Sequence, residues 1–204
     1  MIRSLIDLLE GNRRWMARRE AEDEEFFARH ARGQSPAFLF IGCSDSRVPP
    51  TTITGTGPGE LFVMRNIANL VRDDDVGVQS ALEYALGPLA VEHIIVCGHT
   101  SCGGVTAALT AALHGQAPGG ALGSWLAPLR ELAHRKREAL TSIEQADARV
   151  NRLAELNVEA QVECLERHPL VQRARAERPL SIYGSVYDLA EGRVRPLELS
   201  RSLL

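Results

Sequence analysis

An α/β fold built on a mostly parallel central sheet is what the order of this chain predicts, and three observations carry it. Apolar, strand-like runs alternate with helix-length segments, as parallel strands joined by right-handed crossovers require. Two of the runs, Ala37 to Phe40 and Val91 to Cys97, read as buried strands, and each breaks off into a polar, Gly- or Pro-marked stretch. The last two short strands, Leu180 to Tyr187 and Val194 to Leu199, flank a Glu191-Gly192 turn. The expected sheet therefore has four parallel strands plus a C-terminal antiparallel edge strand, with helices flanking it.

Each element has a local reason. Residues 2–31 read as helix, with an apolar stripe of Ile2, Leu5, Ile6, Leu8 and Leu9, then charge-rich sequence around Trp15, Phe26 and Phe27. Gly11 and Asn12 are expected to interrupt it, and so narrow a stripe suits packing onto another surface. The first strand leads into Ile41-Gly42-Cys43-Ser44-Asp45-Ser46-Arg47 and stops at Val48-Pro49-Pro50, because proline lacks the N–H that a ladder needs. Gly55, Gly57 and Gly59 have the wrong spacing for a dinucleotide fingerprint, and no helix is expected after them. They read as a turn into the strand Leu61 to Met64. Asp73-Asp74-Asp75 is turn-like and puts negative charge where a helix dipole favours it. The helix that follows, Val76 to Leu86, carries Val78, Leu82, Ala85 and Leu86 on one face and ends at Gly87-Pro88. Gly103-Gly104 opens a helix through Leu113 that Gly115 caps. Gln116 to Gly123 is a loop, and helices are expected at Ser124 to Arg137 and Thr141 to Arg167, the last ended by Pro169.

Composition narrows the class. A chain of 204 residues makes one domain with a substantial core. The net charge of -3, mixed signs and absence of a basic run argue against nucleic acid as a partner. No apolar run approaches the ~20 residues of a membrane span, so no membrane partner is expected. Arg3 is followed by Asp7 and Glu10 rather than an apolar secretory segment. Four cysteines outside any disulfide-rich spacing fit a reducing compartment, and the expected location is cytoplasmic.

The chemistry-bearing residues fall at two strand ends. Cys43, Asp45 and Arg47 follow one buried strand; His99 and Cys102 follow the other. In open α/β sheets ligands bind outside the carboxyl ends of strands. Thiolate and imidazole are preferred zinc ligands, four in a tetrahedron, with the fourth place open here to Asp45 or to water. Spacing alone leaves plainer readings open: core cysteines, a loop histidine, a turn ion pair between Asp45 and Arg47. Cys97 and Cys164 read as core, and the lack of a Cys-x-x-Cys pair argues against a redox thiol protein. Free amides at the helix start by Gly103 favour an anion.

Cys43-Ser44-Asp45-Ser46-Arg47 followed by His99-x-x-Cys102-Gly103-Gly104 resembles the β-class carbonic anhydrases. So do Pro58-Gly59-Glu60-Leu61-Phe62-Val63-Met64-Arg65-Asn66-Ile67-Ala68-Asn69, Glu92 to His99, and Asn157-Val158 with Gln161-Val162, a likeness running over residues 34–198. The resemblance implies one Zn²⁺ per chain on Cys43, His99 and Cys102. It implies reversible hydration of carbon dioxide to bicarbonate and a proton, by a hydroxide generated at the metal. Asp45 either pairs with Arg47, leaving the site open, or ligates zinc and closes it. Gln34 is expected to hydrogen-bond substrate, Phe62 to form an aromatic wall, Tyr84 to line the pocket across a dimer interface, and Gly103 to sit where bicarbonate forms. An N-terminal arm, residues 1–33, is expected to embrace a partner subunit in a dimer or tetramer, with 34–204 as the zinc-binding core. Arg65 and Tyr187 match positions of a regulatory bicarbonate site. Phe40 stands where that site has tryptophan, and Ser185 where the family commonly has another, so such regulation is expected to be weak. The same zinc chemistry also suits carbon disulfide or carbonyl sulfide, and a closed set of four ligands suits a purely structural zinc.

Overall fold

The computed structural model describes residues 3–198, and the runs read as strands pair into one five-stranded sheet of order β2-β1-β3-β4-β5. Its strands are β1 (Phe38–Cys43), β2 (Leu61–Asn66), β3 (His93–His99), β4 (Ser181–Asp188) and β5 (Arg193–Pro196). Strands β1 to β4 are mutually parallel, and β5 returns antiparallel along β4. The chain leaves β1 toward β2 and then crosses to β3 on the other side of β1. The strand order reverses between β1 and β3, and that switch point is where open α/β sheets bind ligands.

Ten helices are assigned among the described residues: α1 (Leu5–Glu22), α2 (Phe26–His30), α3 (Pro50–Thr54), α4 (Val76–Leu86), α5 (Gly103–His114), α6 (Gly120–Trp125), α7 (Ala127–Arg135), α8 (Arg137–Thr141), α9 (Ala146–Arg167) and α10 (Pro169–Glu177). Contacts divide the chain into two compact units, Met1–Ser35 and Pro36–Leu204, so Gln34 falls in the first.

In the first unit a capping box starts α1: the Asp7 amide donates to Ser4 Oγ while Asp7 takes the Ser4 amide. Gly11 and Asn12 do not interrupt α1, contrary to expectation; a lone glycine costs only about 1 kcal/mol against alanine. The break comes at Asp23 to Glu25, where Asp23 pairs with Arg29. Trp15, Phe26 and Phe27 pack edge to face with centroids 5.1–6.1 Å apart. Leu5, Ile6, Leu8 and Leu9 are 46–70% exposed, and α1 buries no residue. Ile2 and Leu199, expected in the first helix and last strand, lie outside the described residues.

In the second unit, one sheet face puts Leu39, Ile41, Ile94, Val96 and Ile182 against Val78 and Leu82 of α4, Val158 and Val162 of α9 and Val171 of α10. A second cluster gathers Cys43, Leu70, Cys102, Val105, Leu129, Leu140 and Leu153. Helix boundaries depart from expectation for local reasons. Pro128 sits in the first turn of α7, so the segment from Ser124 to Arg137 is spread over three short helices. Thr141 spends its hydroxyl on the Arg137 and Glu138 carbonyls, and α9 starts only at Ala146. At the other end α9 stops at Arg167, as expected before Pro169: His168 is extended, and Pro169 then occupies the first turn of a further helix, α10, which His168 caps by accepting the Leu170 amide through Nδ1.

Gly98 shows how closely β3 lies on α9. A Cβ there would stand 2.8 Å from Val158 Cγ2 and 3.5 Å from the Ala154 carbonyl oxygen. Gly98→Ala is expected to cost about 1–3 kcal/mol, read as a lower urea midpoint with unchanged slope.

Candidate metal centre

The site is built from two strand ends. Cys43 closes β1, His99 closes β3, and Cys102 is the residue before α5. All three are at least 97% buried, with exposures of 3%, 0% and 1%. Their donor atoms lie within 4.8 Å of one another. The two sulfurs are 3.8 Å apart and both thiols are free. Two thiolates at ~2.3 Å from one tetrahedral ion stand ~3.8 Å apart, so the pair already has the spacing zinc requires.

The backbone fixes which histidine nitrogen is offered. His99 Nδ1 donates to the Thr100 carbonyl at 2.9 Å, which leaves the lone pair on Nε2. That atom is buried and has no hydrogen-bond partner. Thr100 is itself pinned to β4: its amide donates to the Tyr187 carbonyl and its hydroxyl accepts the Leu189 amide, both at 3.0 Å. An unpaired imidazole nitrogen facing two buried sulfurs is costly to keep empty-handed and matches a soft, borderline metal such as zinc.

Electrostatics point the same way. The Cys102 thiol 3.8 Å away, then the neighbouring His99 imidazole and the Asp45 and Ala68 amides, lower the Cys43 thiol well below its ordinary range. The Cys43 sulfur pushes the Cys102 thiol up, and burial adds to it. A bound dication would remove that mutual opposition and favour both thiolates. Cys97 differs: burial raises it to about 11, as suits a core thiol. Cys164 is only partly buried and also raised by desolvation.

Asp45 and Arg47 form a two-pronged pair. Arg47 Nε and Nη2 donate to Asp45 Oδ1 and Oδ2 at 2.9 and 2.7 Å, and the Arg47 amide adds a third bond at 3.0 Å. This holds the Asp45 carboxyl far below the usual carboxylate range, with the Arg47 side chain as the largest cause. Asp45 Oδ2 is 3.8 Å from His99 Nε2, so the carboxylate stands at the rim of the cluster without joining it. Arg47 Nη2 also reaches the Ser101 carbonyl at 3.3 Å and so ties the two strand-end loops together.

The other expected residues do not belong to this group of donors. Phe62 and Tyr84 meet with ring centroids 5.6 Å apart, and Tyr84 is 47% exposed. Gly103 opens α5 beside Cys102. Gln34 lies in exposed coil of the first unit. Arg65 and Tyr187 sit on β2 and β4 with β1 and β3 between them, ~14 Å apart across the sheet and two residues out of register. Arg65 turns its Nε and Nη2 to the Cys43 and Asp45 carbonyls. A recess of about 270 Å³ is lined by Ser101, Thr106, His114, Asp147 and Arg149 among others; none of the three donors lines it.

Several supporting residues were given no role by the sequence reading. Ser101, left-handed at φ 53°, donates its amide to Asn151 Oδ1 at 2.9 Å. Ala68 and Asn69 are also left-handed, and the segment around them is held by side chains. Trp125 Nε1 donates to the Ile67 carbonyl, Asn157 Nδ2 to the Ala68 carbonyl, and Gln161 joins Asn157 to the Val71 amide. One signal for this was present. Asn157 and Gln161 are an i, i+4 amide pair within the otherwise apolar stripe of a long helix.

A family model described as carbonic anhydrase matches residues 38–194. A carbonic anhydrase of Emericella nidulans is 42% identical over 193 residues, covering 94% of this chain and 82% of the relative. Among solved structures, one of two tetrameric β-carbonic anhydrases from Sordaria macrospora superposes with a TM-score of 0.89 at 41% identity, covering 94% of this chain and 95% of that one. The Coccomyxa β-carbonic anhydrase in complex with acetazolamide gives a TM-score of 0.88 at 39% identity, covering 96% and 87%.

Proposed function

The chain belongs to the β-carbonic anhydrase family, and from that premise we propose that Cys43, His99 and Cys102 hold one Zn²⁺ for the reversible hydration of carbon dioxide to bicarbonate and a proton. The observation that carries the metal is the buried, unpartnered His99 Nε2 set against two sulfurs at the edge length of a zinc tetrahedron. Zinc there supplies the Lewis acidity that brings the ionisation of water toward neutral pH.

The chain's own residues do the rest. Cys43 and Cys102, as thiolates, offset the two charges of the ion. That sets the working range to a more alkaline pH than three neutral imidazoles give. Asp45, held by Arg47, turns a carboxylate oxygen toward the metal-binding nitrogen and accepts the hydrogen bond of the attacking water, which orients its lone pair. Phe62 and Tyr84 provide an apolar wall suited to a neutral linear molecule. The Gly103 amide, at the start of α5, is assigned to the charge that appears when bicarbonate forms. Gln34 is assigned to hydrogen-bonding the substrate.

Self-association is part of the same reading. The exposed stripe Leu5, Ile6, Leu8, Leu9 is assigned to a second copy of the chain, in a dimer or a tetramer. Four free thiols suit a reducing cytoplasm. No helix among the described residues is long and apolar enough to cross a membrane.

The test is zinc content together with stopped-flow carbon dioxide hydration from pH 6.5 to 9. About one zinc per chain and a rate that climbs through mildly alkaline pH are expected. Zinc without turnover at any pH would move the assignment to a structural metal.

A further inference from the structure

We propose that Arg65 is a positioning residue for the Asp45–Arg47 pair, serving as the backbone partner that the loop after β1 has lost. The inference deepens the carbonic anhydrase reading and rests on it.

The β1–β2 ladder ends at the switch point. Cys43 is in register with Asn66, and the Ser44 amide donates to the Asn66 carbonyl at 2.9 Å. Beyond that bond the loop has no strand beside it. Arg65, in register with Gly42, fills the gap with its side chain. Its Nε donates to the Cys43 carbonyl at 2.8 Å and its Nη2 to the Asp45 carbonyl at 2.6 Å. The Asp45 carbonyl also accepts the Val48 amide at 3.0 Å, which closes the turn that presents Arg47 to the Asp45 carboxylate. One guanidinium therefore fixes the main chain on both sides of Ser44, at a metal-binding residue and at the carboxylate that must stay 3.8 Å from His99 Nε2.

The choice of arginine follows from geometry. Two carbonyls two residues apart need two donors held in a fixed fork, which guanidinium has and ammonium lacks. Without Arg65 the Cys43 and Asp45 carbonyls each lose a charge-assisted hydrogen bond, the Asp45 carbonyl keeping only the Val48 amide, and the loop is free to shift toward water. A shift of a fraction of an ångström is enough to loosen a preorganised carboxylate.

The experiment compares zinc-loaded wild type, Arg65→Ala and Arg65→Lys, each also in an Asp45→Asn background. Carbon dioxide hydration is followed across pH, zinc release to a chelator is timed, and a thermal melt checks the fold. Arg65→Ala is expected to lose about ten- to a hundredfold in kcat/KM and to release zinc several-fold faster, with Arg65→Lys between it and wild type. Guanidinium ion added to Arg65→Ala should restore part of the rate. In the Asp45→Asn background the same substitution should cost less than about twofold, because residues that work through one another are not additive.

Wild-type kinetics in Arg65→Ala, or a loss that is fully additive with Asp45→Asn, overturns the proposal. So does a variant whose only change is weaker inhibition by bicarbonate, which would make Arg65 an anion ligand. If Arg65→Ala does not fold, Arg65→Lys decides: an unchanged rate and unchanged zinc release overturn the proposal. If wild type itself hydrates no carbon dioxide, the functional reading fails and zinc release alone decides the positioning role, an unchanged rate in both variants overturning it.

Discussion

His99→Ala leaves the enzyme without metal and without turnover. The imidazole is fully buried, its Nδ1 is committed to the Thr100 carbonyl, and its Nε2 has nothing to do in the protein alone. Removing the ring leaves two thiols 3.8 Å apart and, as the nearest other donor, an Asp45 carboxylate already held by Arg47. Water in the hole cannot replace a ligand delivered on a strand end at no entropic cost. Zinc measured after dialysis is expected to fall from about one to below about a tenth per chain, since metal affinity is set by ligand number and preorganisation. Hydration is expected to drop by at least about 10⁴-fold, because water without the metal loses an acidification of roughly nine powers of ten. A cavity the size of an imidazole also costs stability, about 2–4 kcal/mol by analogy with large-to-small core changes. A chelator-treated wild type separates the two effects, because it keeps the ring and loses only the metal. Full zinc in His99→Ala would remove the ligand assignment.

The parts of this site legible in the sequence are those marked by local chemistry. Strand ends announce themselves through Pro49-Pro50 and through Gly98 and Gly103-Gly104, so the placing of Cys43 and His99 past apolar runs could be read directly. Asp45 and Arg47 are two residues apart, and their pairing is a local event. What could not be read is carried by contacts far apart along the chain. Arg65 reaches back 22 residues to Cys43, Trp125 reaches 58 to Ile67, and Asn157 reaches 89 to Ala68. No periodicity encodes such pairs; they exist only once the crossovers have brought β2, α6 and α9 to the switch point. Helix starts were missed for the opposite reason: Pro128, read through as helix interior, opens α7, and Pro169, which does stop α9 at Arg167, also opens α10, because the first turn needs no amide there.

Asp45→Asn is the second large effect, and its pH profile says what the carboxylate does. Arg47 lowers the Asp45 pKa in the folded protein. The pair's contribution is therefore complete above the ordinary carboxylate pKa, and it is lost only as pH falls through the lowered folded value, far on the acid side. Asp45 stays ionised throughout pH 6.5 to 9, so a rate that climbs in that range does not report its titration. Asparagine keeps the shape and one acceptor, but it loses the charge and offers Arg47 a donor where an acceptor stood. The expected result is a variant that keeps its zinc, keeps the alkaline rise, and has a plateau lowered by about 10²–10³-fold, the usual worth of a positioned proton acceptor. A steep collapse of the wild-type rate below pH 8 that vanishes in Asp45→Asn has a different meaning: the carboxylate leaves Arg47 and closes the 3.8 Å gap toward His99 Nε2. Arg47→Ala then separates orientation from blockade. If Arg47 only orients Asp45, the variant lowers the plateau and leaves the pH midpoint alone; if Arg47 restrains Asp45 from the metal, the variant loses activity over the whole range, and a further Asp45→Asn change restores part of it.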